Sequence, residues 1–280
     1  MSSSAECIAY QGMPGANSNI ACQAAYPEMK TLPCRTFEEA FLAVHSGKAT
    51  LAMIPIDNSI AGRVADIHHL LPSSGLKIIG EHFQPVNHQL LAVPGTKISN
   101  ITHVHSHIHA LNQCRTLITE LKVEPVVHVD TAGAASDIAK LGDKTQAAIA
   151  SALAAKLNSL EILKTDIEDA GHNTTRFIVM SKTPNNALPE SGPLITSFVF
   201  RVRNVPAALF KALGGFATNS VNITKLESYV REGFISAQFY ADVEGHPEEK
   251  NLKLAFEELA FFSHEVKLLG TYPAHSFRYK

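Results

Sequence analysis

The sequence predicts an α/β protein in two parts: a long region of alternating strands and helices, then a smaller ferredoxin-like βαββαβ unit. Three observations predict it. Short apolar runs alternate with helical patterns from Cys7 to Lys164. A polar stretch rich in proline and glycine, 182–193, then interrupts the pattern. Beyond it the order becomes strand, helix, strand, strand, helix, strand. The 280 residues are 45% hydrophobic and 18% charged, an ordinary globular composition long enough for two domains. A net charge of −2 carries no basic footprint for nucleic acid. No apolar run approaches the ~20 residues that cross a bilayer. The opening residues 1–6 lack the basic end and apolar core of a signal peptide. Cys7, Cys22, Cys34 and Cys114 show no CxxC spacing and read as reduced, largely buried thiols, which predicts a cytoplasmic protein.

Cys7–Tyr10 reads as a buried strand. It runs into Gln11-Gly12-Met13-Pro14-Gly15-Ala16-Asn17-Ser18, a tight turn in which Asn17 or Ser18 caps a helix over 19–26. A glycine loop entering a helix leaves backbone N–H groups for an anion, or is simply a turn. The spacing is not GxGxxG and no Lys-Ser/Thr follows, which argues against a nucleotide. A short strand near 31–34 and a helix over 37–45, capped by Thr36, come next. A strand over 49–54 breaks at Pro55, and the turn Pro55-Ile56-Asp57-Asn58-Ser59 leads through Gly62-Arg63-Val64 to a helix ending near Leu71. Polar groups at such strand ends line ligand crevices in α/β sheets, or serve as turn formers and caps.

Residues 76–93 are strand-like. Strands at 101–105, 125–129, 146–150 and 160–164 then alternate with helices at 110–121, 134–141 and 152–157, which predicts a mostly parallel sheet covered on both faces. Asp130 and Thr131 are natural caps. His103, His105, His107 and His109 are spaced to share one strand face, as metal ligands would. The helical pattern that starts at Ala110 scatters them instead, so the expectation is no metal. Asn173-Thr174-Thr175-Arg176-Phe177 then places an amide, hydroxyls and a guanidinium at the mouth of the apolar run 177–180. Beyond the linker, strands at 195–202, 221–230, 234–243 and 266–272 and helices at 206–217 and 248–262 complete the smaller unit. Its exposed sheet edge favours pairing with a second copy.

Several of these stretches, taken together and in order, resemble the prephenate dehydratase family. They are Tyr10-Gln11-Gly12 with Gly15-Ala16-Asn17-Ser18, Pro55-Ile56-Asp57-Asn58-Ser59, Gly62-Arg63-Val64, Ser106-His107, Asp130-Thr131-Ala132-Gly133-Ala134-Ala135, and Asn173 with Thr175-Arg176-Phe177. The resemblance implies a catalytic domain over 1–182 with the bilobed, type II periplasmic-binding-protein-like fold. Lobe one would be about 6–82 plus 173–182, and lobe two about 86–165. A linker at 183–193 and a regulatory ACT domain at 194–280 would follow. The implied activity is the decarboxylating dehydration of prephenate to phenylpyruvate in L-phenylalanine biosynthesis, with no metal and no cofactor.

The chemistry asks the site to orient two carboxylates and help a hydroxyl leave. The resemblance assigns the acid to Thr175 and makes Arg176 the leading guanidinium for a carboxylate, or else a brace for the loops. Asp57, Asn58 and Ser59 join the catalytic group. Backbone N–H groups of Gly15, Ala16, Asn17 and Ser18 would hold the other carboxylate, with Ser106, His107, His109, Thr131, Asn173 and Phe177 around the substrate. The chain departs from the family where Asp57 replaces a glutamate and Ile108-His109 replaces Pro-Gln. A histidine at 109 would bring a pH dependence near neutrality.

The implied phenylalanine site comprises Ala207, Ala208, Leu209, Asn222, Glu227 and Ser228. There Ala207-Ala208-Leu209 stands for Gly-Ala-Leu, and Glu227-Ser228-Tyr229-Val230 for Glu-Ser-Arg-Pro. The expectation is a homodimer through the ACT domain, able to assemble further into a tetramer, with L-phenylalanine as effector. Two other readings stay open. One is arogenate dehydratase, which runs the same elimination on the transaminated substrate, with Asp57 as a candidate discriminator. The other is a non-catalytic amino-acid sensor.

Overall fold

The computed structural model describes residues 6–230 and 237–279. By its contacts the chain divides into two compact units: Met1–Val64 with Phe83–Phe177, and Ala65–His82 with Ile178–Lys280.

The first unit opens with β1 (Cys7–Gln11), α1 (Asn17–Ala25), β2 (Lys30–Cys34), α2 (Phe37–His45), β3 (Leu51–Asn58) and β4 (Gly62–Arg63). β1 runs parallel to both β2 and β3, and β4 folds back on β3 with Asp57 opposite Arg63. α2 is capped by Thr36, whose hydroxyl accepts from Glu39 N–H at 3.2 Å. α1 is not capped as expected. Its N-cap is Ala16, and Asn19 Oδ1 reaches back instead to Gly15 N–H at 3.1 Å. β3 also continues through Pro55, where a break is predicted. Its register with β1 ends at Met53, so the missing proline N–H has no β1 carbonyl to serve.

α3 (Ala65–Leu70) and β5 (Lys77–Pro85) follow, and β5 contributes residues to both units. A second sheet is built from β6 (Gln89–Ala92), β7 (His103–His107), β8 (Glu124–His128), β9 (Gln146–Ala150) and β10 (Glu161–Lys164) in the order β10-β6-β9-β7-β8. Here the expectation of a mostly parallel sheet needs correction. β7 is parallel to β8 and β9, but β6 is antiparallel to β9 and β10. β6 enters this sheet directly from β5 of the first sheet, so no crossover within the sheet sets its direction.

Side chains alternate between two cores. Leu90, Val104, Ala147 and Ile149 face one. There they meet Leu111 of α4 (Ile108–Gln113), Leu117 of α5 (Arg115–Leu121) and Cys114 between the two helices. Leu91, Ala148 and Ala150 face the other, made with α6 (Thr131–Leu141) and α7 (Ala152–Leu157). The predicted single helix over 110–121 is broken at Cys114. Asp169 takes the N–H groups of Arg115 and Thr116 at 2.9 and 3.1 Å and so starts α5 afresh. β11 (Thr174–Ser181) completes the first sheet, ordered β2-β1-β3-β11-β5.

The second unit carries β12 (Leu194–Val202), α8 (Ala208–Thr218), β13 (Ile223–Val230), β14 (Ala237–Glu244), α9 (Lys250–Phe262) and β15 (Ser263–Pro273). Its sheet is antiparallel in the order β13-β14-β12-β15, as the ferredoxin-like pattern predicts. The predicted turn 231–233 and the start of the strand expected at 234 lie outside the described residues. One sheet face packs Phe198, Phe200, Phe239 and Ala241 against α8 and α9. Residues 65–82 cover the other. His68 stacks on Tyr240 at 5.3 Å between centroids, and Gly270 passes the Ile78 carbonyl so closely that no Cβ fits there. Arg278 forks onto the Glu81 carboxylate at 2.6 and 2.8 Å and lies 3.9 Å from Asp242. Asp242 in turn accepts from Ser197 and Tyr240.

Candidate active site

The end of β3 and the start of β11 bring Asn58, Ser59, Asn173 and Thr175 together within the first unit. Asn58 Oδ1 accepts from the N–H groups of Ile60 and Ala61 at 3.0 and 2.8 Å, which fixes which end of its amide is nitrogen. That nitrogen donates to Asn173 Oδ1 at 2.7 Å and to Thr175 Oγ1 at 3.0 Å. Asn173 Nδ2 passes the polarity on to Gln113 Oε1 at 2.8 Å. Ser59 staples the two segments. Its hydroxyl donates to the His172 carbonyl at 2.7 Å and accepts from Thr174 N–H at 2.9 Å.

Strand alternation places Arg176 on the opposite face of β11 from Thr175. The guanidinium is buried, 3.8 Å from the Asp57 carboxylate. Phe177 shares the Thr175 face and is buried in the core. The Gly15 loop meets the start of α7. Ser151 Oγ donates to the Gly15 carbonyl at 2.6 Å, and a Cβ on Gly15, at φ +95°, would fall 2.8 Å from Ala154 Cα. Gly15 N–H is taken by Asn19 and Ala16 N–H by the Met13 carbonyl. The N–H groups of Asn17 and Ser18 open the first turn of α1, where a helix offers its own amides no acceptor.

From the second sheet, Ser106 is fully buried and its hydroxyl donates to the Ile149 carbonyl at 2.6 Å. His107 caps α4 and faces exposed His109, ring centroids 5.0 Å apart. Burial and then His109 lower the His107 pKa, with Asp130 opposing. Asp130 caps α6 by accepting from Gly133 N–H at 2.6 Å, which leaves Thr131 as the first helical residue. His103, His105 and His107 do share β7, but His105 is bonded to His128 and Gln146, and His103 faces Glu124. Among the described residues no group of His, Cys, Asp and Glu is arranged to hold a metal ion.

Gln113 and His88 are absent from the sequence-based site. Gln113 lies inside a regular apolar helical pattern, and only the break after it, made by Asp169 from far along the chain, turns it toward Asn173. In the second unit, Ala207 takes a left-handed conformation at φ 59° just before α8. Ala208 is buried and Leu209 packs on the core. Asn222 is exposed, and its carbonyl accepts from Glu244 N–H. Glu227 is held by Lys225 at 3.1 Å, and Ser228 is exposed on β13 opposite Phe239.

The family model for prephenate dehydratase matches residues 8–185. The chain belongs to the prephenate dehydratase family. It is therefore an enzyme of dehydratase type, its first two sheets forming the type II periplasmic-binding-protein-like fold of that family and its third an ACT-like domain. It is 54% identical to a bifunctional N-acyl-homoserine lactone acylase/prephenate dehydratase of Komagataeibacter europaeus, over 98% of each chain. It is 36% identical to arogenate dehydratase/prephenate dehydratase 1 of Arabidopsis thaliana, across 95% of this chain and 71% of that one. A solved prephenate dehydratase in complex with L-Phe from Arthrobacter aurescens matches with a TM-score of 0.85 at 30% identity, over 96% of this chain and 90% of that one. Among the described residues no helix is long and apolar enough to cross a membrane.

Proposed function

We propose that the protein converts prephenate to phenylpyruvate, with Thr175 as the acid. The Asn58–Thr175 hydrogen bond carries the reading. A hydroxyl has one proton, and Asn58 donates to its oxygen, so the Thr175 proton is left to point elsewhere. As the ring C–OH bond breaks, the Thr175 proton moves to the leaving oxygen and water departs. The ring C–carboxylate bond breaks in the same event, its electron pair aromatises the ring, and carbon dioxide leaves. Solvent returns a proton to Thr175. The Asn58 N–H stabilises the negative charge that develops on Oγ1, as preorganised donors do in a desolvated site.

In this reading Asn17 and Ser18 N–H groups receive one substrate carboxylate, and Gln113, Asn173, His107, His109 and Thr131 line the cleft. Arg176 with Asp57 braces the turn behind Asn58, the second of the two roles open to it. The catalytic domain spans 1–182, the linker 183–193 and the ACT domain 194–280. The ACT domain binds L-phenylalanine, in keeping with the L-Phe complex of the Arthrobacter aurescens relative, and pairs two chains through its sheet edge. The enzyme acts in the cytoplasm.

Incubating the purified protein separately with prephenate and arogenate and identifying the products tests the assignment. Phenylpyruvate from prephenate is expected. Phenylalanine from arogenate at a higher rate would move the substrate to the one named for the plant relatives. The relative at 54% identity also supports a second activity, hydrolysis of N-acyl-homoserine lactones. Cleavage of the amide bond to free fatty acid and homoserine lactone is its readout, and recovery of only uncleaved N-acyl-homoserine lactone would remove it.

A further inference from the structure

We infer that His88 is a positioning residue for the elimination, acting through Gln113. The inference rests on the proposed function and deepens it. His88 is 3% exposed, in the crossover between β5 and β6. Its Nε2 lies 2.9 Å from Gln113 Oε1. An amide oxygen only accepts, so Nε2 carries the proton. Burial lowers the ring's pKa, against smaller opposing effects of Gln113 and Glu168, so the ring works as a neutral donor at Nε2.

Gln113 Oε1 thus receives two donors, His88 Nε2 and Asn173 Nδ2. Turning the amide over would set N–H against N–H at both contacts and lose both bonds. The Gln113 N–H₂ is therefore held away from them. The same oxygen closes a directional path: Gln113 accepts from Asn173, Asn173 accepts from Asn58, and Asn58 donates to Thr175.

The backbone around His88 binds the same segments together. Its N–H donates to Glu168 Oε2 at 2.8 Å, and its carbonyl accepts from Ile167 N–H at 3.0 Å. Two residues away, Val86 N–H donates to the Asn173 carbonyl at 2.9 Å. Asp169 N–H donates to the Gln113 carbonyl. The outgoing crossover at 86–88 and the returning one at 166–173 are thus laced together around one amide. His88 is the side chain that ties them to the oxygen through which Thr175 is oriented.

The test is a double-mutant cycle on turnover with prephenate and arogenate. His88→Phe keeps the ring's bulk and removes the donor. It should lower kcat/KM by about 10–100-fold, the loss expected when a buried donor is deleted, while His88→Gln, which restores an N–H, recovers most of it. In a Gln113→Ala background, His88→Phe should cost less than about 3-fold, because the group it orients is gone. Equal losses in both backgrounds would overturn the positioning role and leave His88 as core packing. If His88→Phe fails to fold, His88→Leu, which also lacks a donor, replaces it in the cycle. A loss that shrinks in the Gln113→Ala background then supports the role, and an equal loss overturns it. Wild-type protein that converts neither substrate overturns the proposed function and this role together. Wild-type turnover with additive losses overturns this role alone.

Discussion

Two polar assemblies, one in each unit, are built from opposite materials. The path Gln113–Asn173–Asn58–Thr175 is made of neutral amides and a hydroxyl, each with one direction allowed. The second unit instead closes on ions: Arg278 forks onto Glu81, whose side chain is fully buried, and lies near the equally buried Asp242. Neutral amides polarise a hydroxyl without trapping its proton, which suits the acid role proposed for Thr175. Buried ions grip strongly but leave a large penalty if one partner is lost. The first arrangement orients, and the second fastens.

Three changes would sharpen or break that contrast. The largest effect should come from Thr175→Ala, with turnover falling about 10²–10⁴-fold, the range for a positioned acid. Its unfolding curve should stay close to wild type, and near-normal turnover in folded protein would take the acid role away from Thr175. Arg278→Met should do the reverse. Removing the guanidinium from beside the buried Glu81 and Asp242 carboxylates should destabilise the protein by about 3–5 kcal/mol, read as a shifted denaturation midpoint. A midpoint within error of wild type would show that the clamp fastens little. Ala207→Gly should have the smallest effect. The relay residues avoid the left-handed region that Ala207 occupies at φ 59°. Glycine there should stabilise by about 1 kcal/mol, and calorimetry with L-phenylalanine would show whether removing the methyl also tightens binding. A lower melting temperature for this variant would mean that the methyl makes a contact worth more than the strain.

Much of this was legible in the sequence, for local reasons. Thr36 and Asp130 are caps because their side chains serve N–H groups three residues on. The antiparallel order of the smaller unit follows from its strand and helix sequence and one linker. Where reading failed, the cause was non-local. Pro55 looks like a break, and only the end of β1's register explains why the strand continues. The helix over 110–121 has an unbroken apolar pattern, and it is Asp169 that divides it. Among the site residues, Asn58 and Thr175 announce themselves at strand ends. Gln113 and His88 do not, because their roles exist only once distant segments meet. Arg176 shows a further limit, since its neighbour Thr175 looks equivalent in sequence while strand alternation turns the two to opposite faces.

The amide path also bears on how the chain reaches its working state. Its bonds join residues 60, 115 and 117 positions apart. Closing such long loops is entropically costly and slow compared with forming local helices and turns. Helices α1, α2 and α6 carry their own local hydrogen bonds, and can form before any of these loops close. A refolding chain should therefore regain most of its helical signal while Thr175 still lacks its donor. Catalytic competence is in this sense a late property, switched on only when the two crossovers have come together.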